Sequence, residues 1–136
     1  MKTSTFFCVA LTLASASFAA GAAGAAGAAE LVPSQQYNIC MEKPDSTTIG
    51  MIDCITAENK HQDGRLNIAY KALMAELSSA RKTQLFEAQR AWIKFRDANC
   101  GFYFDPEGGT IARVNANLCV MTTTTRRAVE LEQFKQ

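Results

Sequence analysis

Four cysteines, Cys40, Cys54, Cys100 and Cys119, constrain what this chain can fold into more than any other feature. Zinc is one reading of such a set. It prefers closely spaced cysteine pairs with histidine partners. Here 13, 45 and 18 residues separate successive cysteines, and the sole histidine is His61. An even number of cysteines in a small exported domain reads instead as two disulfides. Three connectivities are open. Cys40–Cys54 with Cys100–Cys119 is favoured, because each closes a short segment. A loop of about 15 residues contributes roughly 3 kcal/mol in the chain-entropy picture. That is a large share of the marginal stability of a core this small.

The exported setting is read from the N-terminus. Lys2 sits in a short polar start, residues 6–20 carry no charge, and small residues fill positions 16–29. This is the order of a secretory signal peptide. The apolar stretch is short of the roughly 20 residues that span a membrane. Residues 1–19 are therefore expected to be a signal peptide, with cleavage after Ala19 preferred and sites as far as Ala29 allowed. Residues 20–36 form a flexible Ala/Gly-rich segment, and residues 37–134 a helical domain. A fifth cysteine, Cys8, would leave with the leader. Thr5-Phe6-Phe7 before it is not a lipoprotein box, so no stable membrane anchor is expected after cleavage. The predicted location is periplasmic or secreted.

At 136 residues this is one domain. Hydrophobic residues make up 48% and charged residues 20%, ordinary values for a globular chain. The net charge of +1 excludes a nucleic-acid binder driven by bulk charge. Acids and bases are unevenly placed. Six acids and two bases lie between Glu30 and Asp63, while bases dominate from Gly64 onward.

The apolar periodicity is helical. Asp45-Ser46-Thr47-Thr48 offers an N-cap. Beyond it, Met51, Cys54 and Ile55 share a stripe, and Leu66, Ala69, Tyr70, Leu73, Met74 and Leu77 repeat at helical spacing. Gly64 predicts a kink or break near residues 61–64. Ser78-Ser79 marks a turn. Leu85, Ala88, Trp92 and Phe95 then predict the buried face of a second helix ending near Asn99. Residues 101–110 read as a loop carrying three consecutive aromatics. A last helix holds Leu118, Val129 and Leu131. The fold class is all-α: a small bundle of three or four helices stapled by two disulfides.

Chemistry finds little to stand on. A nucleophile needs a base within reach, and His61 lies in a polar, helical stretch. Glu58 with Asp63, and Asp105 with Glu107, are the tempting carboxylate pairs. Gly108-Gly109-Thr110 lacks the frame of a phosphate loop, and oxidised cysteines are not nucleophiles. The expectation is a binding protein, not an enzyme, with no catalytic residue, metal or cofactor.

Several blocks taken together resemble a known family. They are Tyr37-x-x-Cys40, Cys54-x-x-x-Glu58, Asp63-x-x-Leu66-Asn67-x-x-Tyr70, and the run from Gln89 to Cys100 containing Trp92-Ile93-Lys94-Phe95-Arg96. Gly108-Gly109-Thr110, Cys119 and Thr124-x-x-Arg127-x-x-x-Leu131 follow. This pattern is similar to the LprI-like lysozyme-inhibitor family of small secreted bacterial proteins, in cysteine order and spacing as well. The missing lipobox departs from the family's founding lipoprotein. The resemblance implies a protein partner, a cationic lysozyme, whose cleft is blocked sterically and electrostatically. The alternative is a periplasmic helical module for another envelope partner.

The landmark residues Glu58, Asp63, Leu66, Asn67, Tyr70, Trp92, Phe95, Arg96 and Arg127 read first as structural. Trp92 and Phe95 are expected in the core, and Arg96 paired with an acid on another helix. Asp63 and Asn67 would brace the kink, and Arg127 would pair with Glu58 or Asp63 or lie exposed. The nominated partner contacts are Phe102, Tyr103, Phe104, Asp105 and Glu107, where exposed aromatics and acids suit a cationic partner.

Overall fold

In the computed structural model the described residues are 31–43 and 47–134. The expected signal peptide, residues 1–19, and residues 20–30 of the expected Ala/Gly-rich segment lie outside them. Four helices follow in order: α1 (Gln35–Met41), α2 (Thr48–Glu76), α3 (Ser79–Phe102) and α4 (Gly109–Gln133). No strand occurs among the described residues. The all-α expectation holds, and so does the favoured disulfide pairing, Cys40–Cys54 with Cys100–Cys119.

The helix starts follow from local chemistry. Ser34 caps α1, its hydroxyl accepting from the Tyr37 amide at 3.2 Å. Thr47 caps α2 by accepting from the Gly50 amide at 3.1 Å. Ser78 occupies the N-cap of α3, but its side chain makes no capping bond. The connection from α2 to α3 is thus only Leu77 and Ser78, so the chain reverses direction there, and α3 packs chiefly against α4.

Contrary to expectation, α2 is not broken at Gly64. It runs 29 residues, about 43 Å at 1.5 Å per residue. Glycine in a helix interior costs about 1 kcal/mol relative to alanine. Packing along the whole length outweighs that cost: Cys54, Ile55, Glu58, Gln62, Leu66, Ala69 and Leu73 are all buried. Their partner is α4, which lies parallel to α2. Thr48 meets Thr110 near the two N-termini, and Arg65 meets Glu132 near the far end of α4. The core between them has two parts. Ile55, Val114 and Met121 form one, with Tyr37, Met51, Ile52 and Leu118 against it. Leu66, Ala69, Leu73, Leu77, Ala128 and Leu131 form the other, backed by Tyr70, Leu85 and Trp92.

Helix α3 is the return leg between these parallel helices, antiparallel to both. It buries only Cys100. The predicted inner face is corrected here. Leu85 and Trp92 do pack inward, but Ala88 is exposed and Phe95 is 60% exposed. The inward face is the line Leu85, Gln89, Trp92, Arg96 and Cys100, because Gln89 and Arg96 meet polar and aromatic partners there.

Candidate functional site

The nominated contact residues lie at the tip joining α3 to α4. Helix α3 runs to Phe102, three residues past its expected end, so the loop proper is residues 103–108. Its base is fixed at both ends. Cys100, the last buried residue of α3, is bonded to Cys119 on α4 with a Cα–Cα distance of 5.4 Å. The Tyr103 and Phe104 amides close the helix end on the Cys100 and Gly101 carbonyls. The Asp105 carboxylate accepts from the Glu107 amide at 2.9 Å, the self-bonded turn an aspartate favours.

Gly108 and Gly109 serve this turn. Gly109 has φ +64°, a left-handed conformation open to glycine. A Cβ on Gly108 would stand 2.9 Å from the Ala112 Cβ, so any larger residue must displace the start of α4. The pair dismissed as a phosphate loop thus sets the direction in which α4 leaves the tip.

The tip exposes its aromatics rather than tucking them underneath. Phe102 is 86% exposed, and Tyr103 and Phe104 are about half exposed. The Phe102 and Tyr103 rings meet edge to face at 6.2 Å. Asp105 and Glu107 are exposed beside them. Sequence reasoning missed two neighbours. Ile111 is exposed on the first turn of α4, and the Arg113 guanidinium stands over the Phe104 ring at 5.9 Å. Both belong to α4, and nothing in the sequence showed that Arg113 reaches back to the loop. Phe104, Asp105, Pro106, Gly109, Thr110 and Arg113 enclose a groove of about 440 Å³.

The remaining landmark residues form the frame. Glu58 is buried and does not contribute to an acidic face. One carboxylate oxygen accepts from the Ser34 amide at 2.9 Å and from Gln62 Nε2 at 2.6 Å. The other accepts from the Ser34 hydroxyl. Burial alone would push this carboxyl up. The hydrogen bonds from Ser34 and Gln62, with His61 nearby, outweigh burial and hold it below the ordinary value. Tyr37 is pushed up, first by burial and then by the charge on Glu58. Both side chains line a pocket of about 400 Å³ under α1, beside the Cys40–Cys54 bridge.

Asp63 and Asn67 hydrogen-bond one turn apart on the exposed side of α2. They brace no kink, since the helix has no break there. Leu66 is buried and Tyr70 half-buried in the second core cluster. Arg96 does not reach an acid on another helix. It pairs with the adjacent Asp97 at 2.8 Å and lies over Trp92 at 5.2 Å. Arg127 pairs with neither Glu58 nor Asp63, and it is buried. It donates to Gln89 at 3.0 Å, pairs with Glu130 at 2.8 Å, and lies 6.0 Å from the Trp92 ring. Trp92 is therefore held between guanidinium groups from α3 and α4. Sequence spacing could not show this, because Gln89 and Arg127 are 38 positions apart.

His61 is exposed and 4.0 Å from Glu58, whose oxygens are already occupied. Among the described residues no group of three His, Cys, Asp or Glu side chains could hold a metal ion. No described helix is long and apolar enough to cross a membrane.

Comparison with known proteins places this surface in context. No solved structure matches the chain. An uncharacterized protein of Rhizobium meliloti (strain 1021) is 26% identical over 97 residues, covering 61% of this chain and 70% of the relative. The family described as lysozyme inhibitor LprI matches residues 40–131, which include all four bridged cysteines, Glu58, the Trp92 block, the tip and Arg127. The chain belongs to the LprI lysozyme-inhibitor family.

Proposed function

We propose that this protein is an exported inhibitor that lodges the tip at residues 102–107 in the substrate cleft of a cationic lysozyme. The block is steric and electrostatic, with no turnover. The observation that carries this reading is the tip itself: three exposed aromatics and two exposed carboxylates on a turn pinned by Cys100–Cys119. Protein interfaces draw most of their energy from a few anchoring aromatics ringed by polar groups. A pre-fixed turn loses little conformational freedom on docking. Asp105 and Glu107 would steer a basic partner toward the aromatics. Export to the periplasm or beyond is supported by the two disulfides and by the leader-like residues 1–19.

The test is titration of the oxidised protein into a cell-wall lysis assay, with chicken-type and goose-type lysozymes in parallel. Saturable inhibition of one class is expected. Replacing Phe102 and Phe104 together by alanine should weaken it at least tenfold, about 1.4 kcal/mol or more. Reduction and alkylation should abolish it. No inhibition by a large molar excess of folded protein would refute the reading for these enzymes. The tip would then serve another envelope partner.

A further inference from the structure

Helix α3 carries a second apolar line that its own fold leaves uncovered. Gln84, Ala88, Ala91, Phe95, Ala98 and Phe102 succeed one another at alternating steps of four and three residues. That is the 3.5-residue repeat of a helix-pairing seam. All six are exposed, Phe95 by 60%. They lie on the side of α3 away from Leu85, Trp92 and Cys100, which pack toward α4 and the core. The helix therefore has one face used inside the molecule and a seam exposed along its length, whose first residues Gln84 and Ala88 border a groove shared with Leu73, Leu77 and Leu131.

We propose that this seam is covered by α3 of a second copy of the chain, paired antiparallel about a two-fold axis between Ala88 and Ala91. In such a pair each seam position of one kind faces the other kind across the axis. Ala88 faces Ala91 of the second copy, and the small side chains let the backbones approach. Phe95 lies across Gln84 of the second copy. The amide of Gln84 is already engaged by Arg81 at 2.9 Å, leaving an apolar surface for the ring.

Charge selects the same arrangement. Glu87 and Lys94 flank one edge of the seam, seven residues apart, and both are exposed. The two-fold axis sets Glu87 beside Lys94 of the second copy, and the reverse, giving two equivalent ion pairs. A parallel pair would set Glu87 and Lys94 beside the other edge of the seam, Trp92 and Asn99 of the second copy, and form neither ion pair. An anionic lipid surface suits the seam poorly, since Glu87 would repel it and the apolar line is narrow. Tyr103 and Phe104 lie beyond the seam, while Phe102 ends it and belongs to the tip as well; Phe95, Glu87 and Lys94 lie outside the tip, so variants at those three test pairing separately from the proposed inhibition.

The experiment is sedimentation velocity of the oxidised protein across a micromolar-to-millimolar series. A reversible dimer is expected. Phe95→Asp should weaken dimerisation at least tenfold, with helicity by circular dichroism unchanged because the site is exposed. Glu87→Lys should weaken it several-fold, and Glu87→Lys combined with Lys94→Glu should restore it. A chain that is monomeric throughout overturns the proposal. So does a dimer indifferent to Phe95→Asp, or one not restored by the double exchange. Flotation of a monomeric chain with anionic vesicles would also overturn it, in favour of a lipid surface.

Discussion

Glu58 is a carboxylate removed from water and kept charged by its neighbours. Three donors, the Ser34 amide and hydroxyl and Gln62, surround it, so its charged form is preferred in the folded state. Its folded pKa lies below the ordinary 4.5. The sign of the linkage follows. The stabilisation is fully present above the ordinary value and is lost as pH falls through the lower folded value. Glu58→Gln cannot titrate. We expect the wild type to lose stability more steeply than Glu58→Gln as pH falls below the ordinary carboxylate value, measured by urea unfolding at each pH. At neutral pH the variant should be less stable by roughly 1–3 kcal/mol, because charge-assisted bonds are weakened and one amide donor is left facing donors. Equal slopes for the two proteins would show that Glu58 contributes no charge-linked stability.

Helix α1 shows why an element can depend on its attachments. It has seven residues, none buried, and helices below about 12–15 residues are marginal alone. Three things hold it: the Cys40–Cys54 bridge, the Ser34–Glu58 bonds 24 positions apart, and Tyr37 packed against the Ile55 cluster. Removing the bridge in Cys40→Ala/Cys54→Ala should cost about 3 kcal/mol. Hydrogen exchange should show α1 amides losing protection while α2 and α4, joined by both core clusters, keep theirs. Uniform loss of protection across all four helices would contradict this division. Helix α3 is a different case. Its periodicity was legible, but two apolar lines compete on it, Leu85–Trp92 and Ala88–Phe95. Which one turns inward is decided by ties to α4: Gln89 accepts from Arg127, and Cys100 is bonded to Cys119.

At the scale of the whole molecule the long parallel pair α2 and α4 is the body, and the tip and the outer face of α3 are what it presents. If the tip acids steer a cationic lysozyme, inhibition should weaken several-fold on adding salt to about 1 M, where the Debye length falls to about 3 Å. Asp105→Asn/Glu107→Gln should inhibit less at low salt and respond less to it. A salt response identical in both proteins would remove these acids from the steering. The sequence by itself determined the helical class, the two bridges, the cap at Thr47 and the aromatic tip; the cap at Ser34, inside a segment expected to be flexible, came from the structure. The features legible in sequence depend on periodicity, cysteine spacing and side chains bonding within a few residues of themselves. Only the tertiary structure decided that α2 continues through Gly64, that Glu58 lies inside, that Arg127 meets Gln89 and Trp92, and that Phe95 faces outward. Each of those is settled by a partner on another helix, 24 to 38 positions away where a hydrogen bond marks it, and burial against that partner outweighs the local preferences a sequence records.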